Sequence, residues 1–340
     1  MRASENRQRN CAAAFSNPNF PLFCADHCII YAVLNNGIVR SDLERHEVLL
    51  PDRLAEQRGI AEVLCGLDSV IERTESLVAK HRRIKAGLLH DLFTRGLDAN
   101  GQLRPTCEEA PELYRESPIG WIPRDWEVTG LRPKASPGRA FLKTGPFGSA
   151  LKGEHWTETG WPVITIGSLG EGRFIESELL YVSDLTAKRL SEYQLIPGDV
   201  VFSRVADVGR SVVVDKANKG WIMSSNLMRI SLDTQAARPY FLQELLSFDH
   251  RLRQQIRTKV NSGGREVANS AILDKLLFAW PDSTEQDRIL EYSRAIDDYL
   301  TTGRAARDKL LLRKCGLMRD LLTGRVRVKV EKSEAKAASV

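Results

Sequence analysis

The chain has 340 residues, of which 42% are hydrophobic and 27% are charged, and its formal net charge is +5. This composition is typical of a folded globular protein and excludes a collagen-like, a disulfide-scaffold and a wholly disordered chain. The length accommodates two or three domains of about 100–200 residues, and the small positive charge permits a polyanionic partner. The 6 cysteines are typical of reduced thiols, and the longest apolar run near the start is far shorter than the ~18 residues of a membrane span. We expect a cytoplasmic protein with no membrane segment.

Two stretches of the chain repeat one another at a constant offset of 229 residues. The first begins with Glu56-Gln57, and the second begins with Glu285-Gln286. Identical residues continue through both stretches without a gap: Ile60 and Ile289, Glu62 and Glu291, Asp68 and Asp297, Lys80 and Lys309, Lys85 and Lys314, Gly87-Leu88 and Gly316-Leu317, Asp91-Leu92 and Asp320-Leu321, Thr94 and Thr323. The chain is therefore predicted to hold two copies of one element, separated by a large insert.

Each copy is predicted to form one long helix. From residue 60 to residue 88, apolar residues recur at alternating spacings of three and four, which is the a/d stripe of a coiled coil. The second copy has a poorer stripe, and Gly303 is expected to bend or loosen it. Because a helix of about 40 residues is roughly 60 Å long, it needs a second helix to cover its stripe. The predicted interface residues are Ile60, Val63, Leu67, Val70, Leu77, Ile84 and Leu88 in the first copy and Ile289, Tyr292, Ile296, Leu310 and Leu317 in the second.

Composition and residue spacing divide the whole chain into six predicted regions. The predicted regions are 1–50, a helix at 51–96, a Pro/Gly-rich linker at 97–120, an inserted domain at 121–280, a helix at 281–324 and a disordered tail at 325–340. The insert holds all 6 tryptophans, with short β-branched runs separated by glycine-rich turns, which predicts a mixed α/β domain. The expected fold class is α+β, with one mixed α/β domain flanked by two long helices that pair as an antiparallel coiled coil.

Basic residues of the insert stand in predicted loops, many of them beside glycines. Lysine and arginine on flexible backbone are suited to phosphate contact and to hydrogen bonding with base edges, although for any single residue a solvated surface is the simpler interpretation. The candidate nucleic-acid-binding residues are Lys143, Lys152, Arg173, Arg204, Arg210, Lys216, Lys219 and Arg265. A helix with Arg251, Arg253, Arg257 and Lys259 and no acid between them either meets a phosphate backbone or complements its own C-terminal dipole.

Signals for catalysis are weak. The sequence has no P-loop, nucleophile-elbow or zinc-protease motif. Asn17-Pro18-Asn19-Phe20 resembles the tetrad of DNA amino-methyltransferases, but Asn19 replaces its second proline and no glycine-rich cofactor loop follows a strand. Cys24, His27 and Cys28 lack a second half with metal-ligand spacing. We predict no catalytic residues, no metal and no cofactor of its own.

Several segments resemble, in order and spacing, the specificity subunits of type I restriction-modification systems over roughly residues 35–328. Pro51 followed by Glu56-Gln57 is similar to the opening of that family's central spacer helix, with Asp52 where a second proline is usual. Pro281 followed by Glu285-Gln286 is similar to the opening of its distal helix. The other family-like blocks are Pro118–Pro123 with Trp126, Lys143–Ser149 with Leu151-Lys152, Gly198–Ser203, and Gly263-Gly264 with Asn269.

The resemblance implies that residues 121–280 are a target-recognition domain that reads one half of a split sequence in double-stranded DNA. It implies that the paired helices hold the half-sites at a fixed separation and bind methyltransferase subunits, which recruit a nuclease-translocase subunit. The chain itself is then non-catalytic. The family's usual plan has two recognition domains, whereas residues 1–50 match only the closing edge of the first. We therefore expect a truncated subunit that pairs with itself or with another specificity chain.

Other interpretations stay open. A coiled-coil scaffold that binds only proteins would show no salt-dependent binding to DNA. An inactive truncated remnant would support no methylation, and a standalone DNA-modifying enzyme would transfer methyl groups as the isolated chain.

Overall fold

The computed structural model describes residues 51–147, 150–170, 172–205, 208–261 and 267–329. The described residues fall into two compact units, one formed by residues 83–297 and the other by residues 51–82 together with 298–329. No helix in these ranges is long and apolar enough to cross a membrane.

The secondary structure alternates short strands with helices between two long helices. The helices are α1 (Leu54–Thr94), α2 (Asp184–Arg189), α3 (Pro239–Phe248), α4 (His250–Asn261), α5 (Ser270–Asp274) and α6 (Ser283–Leu322). The strands are β1 (Tyr114–Arg115), β2 (Ile122–Pro123), β3 (Glu127–Thr129), β4 (Leu142–Thr144), β5 (Trp156–Thr157), β6 (Trp161–Ile164), β7 (Leu180–Val182), β8 (Val200–Ser203), β9 (Ser211–Val213), β10 (Ile222–Met223), β11 (Leu227–Ile230) and β12 (Phe278–Trp280). Single 3-10 turns lie at Pro111–Leu113, Arg132–Lys134, Gly153–His155, Glu176–Glu178 and Ser191–Tyr193.

The strands of the larger unit form two four-stranded sheets and two short ribbons. The sheet orders are β10-β6-β7-β5 and β4-β11-β8-β9, and the ribbons are β1-β2 and β12-β3. In the second sheet every pair is antiparallel, with Met228 opposite Phe202 on one side and Arg229 opposite Lys143 on the other. In the first sheet β10 pairs with β6 in parallel, and the remaining pairs are antiparallel.

The core of this unit lies between the second sheet, helix α3 and the inner ends of both long helices. Strands β8 and β11 are buried at every residue, which explains why neither alternates apolar with polar side chains. Phe93 of α1 and Ile289 of α6 belong to the same apolar cluster as Trp126 and Trp280. The ends of the long helices are therefore part of the folded domain.

Residues 51–82 and 298–329 form a pair of antiparallel helices. Lys314 Nζ lies 2.5 Å from Asp68 Oδ1, and the ring of His81 stacks on that of Tyr299 at 5.8 Å. Near the outer end of the pair, Ile60 and Leu64 pack against Leu321. The predicted fold class, α+β with two long antiparallel helices, is confirmed, and the helices have 41 and 40 residues.

The predicted apolar stripe is corrected at several positions. On α1 the structure buries Ile60, Leu64, Ile71 and Val78, while it exposes Val63, Val70, Leu77 and Ile84. On α6 it buries Ile289, partly buries Ile296 and Leu310, and exposes Tyr292 and Leu317; Leu67 and Leu88 of α1 are also partly buried. Because positions 63/64, 70/71 and 77/78 are all apolar, the sequence fits two a/d phases of a helix, and contact with α6 selects the later one.

One further expectation changes, and one helix boundary is added. Gly303 lies inside the unbroken helix α6, and a Cβ atom there would come 2.8 Å from Val78 Cγ2, so this glycine permits close helix approach. The basic helix is separated from the preceding apolar helix at Asp249, which ends α3 and whose carboxylate accepts from Arg251 N at 2.9 Å. Helix α4 therefore has its own N-terminal cap.

Candidate nucleic-acid interface

Six strand ends meet at one edge of the larger unit. The ends of β4, β6, β8 and β10 and the starts of β9 and β11 are joined there by backbone hydrogen bonds. Ser224 N donates to Ile164 O at 3.0 Å, Gly145 N to Leu227 O at 3.0 Å, and Ser203 N to Arg210 O at 2.8 Å. We call this surface the loop edge, and its described residues are 145–147, 165–170, 172–175, 204–205, 208–210, 224–226 and 267–269.

Arg204 is the centre of the loop edge. Its guanidinium donates through Nε to Ala268 O at 3.0 Å and through Nη1 to Ser225 O at 3.0 Å. Its backbone donates to Asn226 O at 3.1 Å and accepts from Ala268 N at 2.8 Å. Burial lowers the pKa of this arginine from its ordinary value. Arg204 thus connects three loops. It stabilises the fold of the loop edge and also places a positive charge there.

Phe147 stands exposed beside this arginine. Its side chain is 63% exposed, and the Arg204 Cζ atom lies 5.5 Å from the ring centroid. The loop reaches this position through Gly145, where a Cβ atom would lie only 2.0 Å from Ser224 O, so only glycine fits there. The family-like block at Lys143–Ser149 therefore places an aromatic ring on a cation at the loop edge.

Two more of the predicted arginines lie at this edge. Arg210 donates through Nη1 to Leu169 O at 3.0 Å, which links β9 to the loop after β6. Arg173 is exposed in the tight turn where Gly170 N donates to Arg173 O at 2.8 Å, and its side chain has no partner among the described residues. The structure therefore brings together Arg173, Arg204 and Arg210.

The remaining predicted residues do not join them. Lys143 lies within β4, paired with Glu192 at 2.7 Å and placed over the Tyr193 ring. Lys152 is exposed just before the turn at Gly153–His155. Lys216 and Lys219 are exposed in the turn after β9, at the other end of the sheet from the loop edge. Arg265 lies outside the described residues.

Asp199 explains another of the family-like blocks. The side chain is buried and accepts from Ile196 N at 2.8 Å, from Ser231 Oγ at 2.6 Å and from Arg139 Nη1 at 3.0 Å. It follows Gly198, whose φ of 93° turns the chain into β8. The block Gly198–Ser203 therefore orients β8, the strand that Arg204 follows, and none of its residues is exposed for contact with DNA.

A buried charged cluster at the inner ends of the long helices was not found from the sequence. Lys85 Nζ donates to Glu244 Oε1 at 2.8 Å and to both oxygens of Asp297 at 2.9 Å, and Ser293 Oγ donates to Glu244 at 2.7 Å. Burial raises the pKa of Glu244, and its second oxygen, Oε2, has no hydrogen-bond partner among the described residues. The offset that matches Asp68 to Asp297 and Lys85 to Lys314 was the available signal for this contact.

Glu285 joins the linker to the start of α6. Its carboxylate accepts from Leu97 N at 2.6 Å, from Arg104 Nη1 at 2.7 Å and from Trp126 Nε1 at 3.0 Å. The neighbouring Gln286 donates to Pro281 O at 2.9 Å. The repeated Glu-Gln pair is thus a structural junction, and Gln57 makes the equivalent bond to Pro51 O at 2.7 Å.

Metal ligands do not cluster in the described part of the chain, where no group of three or more His, Cys, Asp or Glu side chains could hold an ion. Cys24, His27 and Cys28, and the methyltransferase-like Asn17–Phe20 segment, lie outside the described residues.

A mixed α/β domain between two long pairing helices is the fold that the resemblance implied. No protein-family model matches the chain. It is 22% identical over 294 residues to the type I restriction enzyme MjaVIII specificity subunit of Methanocaldococcus jannaschii, covering 84% of this chain and 63% of that protein. It is 24% identical over 217 residues to the putative MjaX specificity subunit of the same organism, covering 62% of this chain and 49% of that protein.

A solved structure has the same fold. The S subunit of a type I restriction-modification system from M. genitalium superposes with a TM-score of 0.53 at 16% identity, covering 84% of this chain and 65% of that one. The chain is therefore related to type I restriction-modification specificity subunits, as its motifs indicated. It spans less than two thirds of the length of each of these relatives.

Proposed function

We propose that this chain recognises one half of a split DNA sequence for a type I restriction-modification complex, and that the loop edge is the recognition surface. The observation that carries the proposal is the meeting of Arg173, Arg204, Arg210 and Phe147 at the edge where six strand ends converge. Loops on a rigid sheet are the usual position of sequence-reading residues, because the scaffold fixes them while their sequences vary.

The chemistry of the loop edge suits a duplex. Arg173 is exposed and unpaired among the described residues, so its planar guanidinium is available to a guanine edge or a phosphate. Arg204 is held by two carbonyl oxygens and supports Phe147, whose exposed ring is available to the face of a base or the methyl group of thymine. We infer that Arg204 acts mainly by positioning this ring and its loops.

The helix pair is proposed to bind the catalytic partners. Val63, Val70 and Leu77 recur every seven residues on α1 and are exposed to 42%, 45% and 55%. An exposed apolar row of this kind indicates a protein interface. We propose that methyltransferase subunits dock here, that they recruit the nuclease-translocase subunit, and that all catalysis belongs to these partners, since the specificity role needs no catalytic group of its own.

The test is methylation in cells. The chain is co-expressed with the neighbouring methyltransferase subunit, and methylated adenines are mapped across the genome. A split motif supports half-site reading, and a symmetric motif supports two copies of this chain acting together. Arg173→Gln is expected to abolish or change the motif, whereas Lys188→Gln, which removes an exposed charge from α2, is expected to preserve it. Absence of any motif with the unaltered chain, when the two proteins co-purify, would contradict the proposal.

A protein-binding scaffold without DNA contact is the second candidate, because the same row of Val63, Val70 and Leu77 would serve it equally. It predicts co-purification with partners but no salt-dependent mobility shift of duplex DNA by the assembly. Sedimentation of the isolated chain at micromolar concentration distinguishes a self-associating subunit from a monomeric one.

A further inference from the structure

Helix α4 turns a purely polar and cationic face to solvent. Its sequence from His250 to Asn261 contains no acidic residue. The buried face consists of Leu252, Ile256 and Val260, and the exposed positions are His250, Arg253, Gln254, Arg257 and Thr258. Arginine, glutamine, threonine and histidine all offer hydrogen bonds or positive charge to a nucleic acid, and none of them repels it.

The two exposed arginines of this face make few contacts within the domain. Arg257 has no hydrogen-bond or ion-pair partner among the described residues, and Arg253 makes only one long bond, 3.4 Å, to Ser247 O. Arg251, in contrast, is committed to Phe93 O and to Asp249. The alternative role of the cluster, complementing the helix C-terminus, therefore falls to Lys259 in the last turn, and Arg253 and Arg257 remain available to a ligand.

An open groove runs beside the helix. It has a volume of about 360 Å³ and is lined by Arg251, Gln254, Gln255, Thr258 and Lys259 of α4 together with Pro118 and Ile119. Gln255 is held in place because its amide exchanges two hydrogen bonds with the backbone of Leu277, at 2.9 and 3.0 Å. The face is thus rigidly seated on the domain, and its groove has polar walls on the helix side.

The helix also adjoins the loop edge. It packs against α5, which begins directly after Asn269. Ala268, one residue earlier, is bonded to Arg204 both through its backbone N–H and through its carbonyl. Helix α4 is therefore connected to the loop edge through α5 and Ala268.

We propose that the exposed face of α4 binds the sugar-phosphate backbone of the DNA whose bases face the loop edge, with Arg253 and Arg257 as the phosphate contacts. The two arginines lie four residues apart and so project from one side of the helix, one turn from each other. This inference deepens the proposed function and rests on it, because the DNA is the same molecule. Phosphate contacts carry no sequence information, so α4 contributes affinity and orientation rather than choice of sequence.

The experiment measures the salt dependence of DNA binding by the assembly of the full chain with its methyltransferase subunit. The probe is a duplex of about 40 base pairs with random sequence, titrated from low to high salt. Each phosphate contact contributes about 0.9 to the slope of log K against log salt, so Arg253→Gln and Arg257→Gln are each expected to lower the slope by about 0.9. When salt is lowered from 1 M to 0.1 M, the double variant is therefore expected to gain roughly 60-fold less affinity than the unaltered chain gains.

Two controls give the result its meaning. Lys188→Gln removes one exposed charge elsewhere on the domain and is expected to leave the slope within about 0.3 of the unaltered value. The methylated sequence, mapped in cells, is expected to be the same for the double variant as for the unaltered chain. An unchanged slope in the double variant, or an equal loss in Lys188→Gln, would overturn the inference while leaving DNA recognition intact. Failure of the unaltered assembly to bind any duplex would remove the proposed function as well.

Discussion

Gly303→Ala is expected to destabilise the helix pair, although helix propensity predicts the reverse. In the interior of an exposed helix, replacing glycine with alanine gains about 1 kcal/mol. Here the new Cβ atom would lie 2.8 Å from Val78 Cγ2, well inside the ~3.5–4.0 Å of a favourable carbon contact. Val78 is 7% exposed and β-branched on its own helix, so it has essentially one rotamer and cannot turn aside.

The magnitude follows from these two opposing effects. Overpacking of a buried contact costs about 1–3 kcal/mol against a propensity gain of about 1 kcal/mol, which leaves a net loss of up to about 2 kcal/mol. Gly316→Ala is the matched control on the same helix, because no atom lies within 4 Å of its new methyl group. That variant is expected to be stabilised by as much as about 1 kcal/mol.

The assay is urea unfolding of the full chain followed by two signals. Circular dichroism at 222 nm reports all helices, whereas tryptophan fluorescence reports only the larger unit, since all 6 tryptophans lie between residues 121 and 280. Gly303→Ala is expected to lower the urea midpoint of the dichroism change and to leave the fluorescence transition in place. Adding Val78→Ala is expected to relieve the clash, which a double-mutant cycle detects as a favourable coupling of about 1 kcal/mol or more. If Gly303→Ala proved as stabilising as Gly316→Ala, the close approach of the two helices would be refuted.

Three further predictions concern the charged residues. Lys85→Met is expected to cost about 3–5 kcal/mol in urea unfolding because it leaves Glu244 buried without its cation, whereas Lys314→Met, in a more exposed pair, is expected to cost less than about 1 kcal/mol. Because burial raises the pKa of Glu244, the unfolding free energy is expected to fall as pH rises from the ordinary glutamate pKa through the raised one, and Glu244→Gln is expected to remove this slope in pH-dependent unfolding. Arg204→Lys is expected to lower DNA affinity about tenfold, the equivalent of one charge-assisted hydrogen bond, because lysine cannot hold the forked contacts, while Arg173→Lys is expected to retain most of the affinity; equal effects in a binding titration would contradict the positioning role of Arg204.

The sequence was most informative where a pattern repeats. The two long helices, their antiparallel pairing and the mixed domain between them all follow from the offset repeat and from β-branched runs between glycine turns. The face of α1 did not follow, since three adjacent pairs of apolar residues fit two phases of the same heptad. Packing against α6 decides between the two phases, and the spacing of apolar residues within α1 does not predict that packing.

The loop edge could be predicted only in part. A glycine directly beside the basic residue identified both Arg173 and Arg210, because both stand in tight turns at strand ends. The same rule also selected Lys219, which lies at the other end of the sheet, because local sequence does not state which strand ends share an edge. Phe147 was not singled out, because a phenylalanine side chain is ordinarily buried.

The repeat also encodes the register in which the helices pair. In each copy an aspartate is followed 17 residues later by a lysine, at Asp68 and Lys85 and again at Asp297 and Lys314. When two such helices run antiparallel, the aspartate of each can face the lysine of the other only in one register, and both resulting pairs are present. This is the reciprocal contact of a two-fold symmetric interface, made within one chain. The two pairs differ in burial because the inserted domain covers Lys85 with Glu244 and Phe248. The register of the two helices therefore follows the symmetry of the repeat, whereas the burial of the two ion pairs does not.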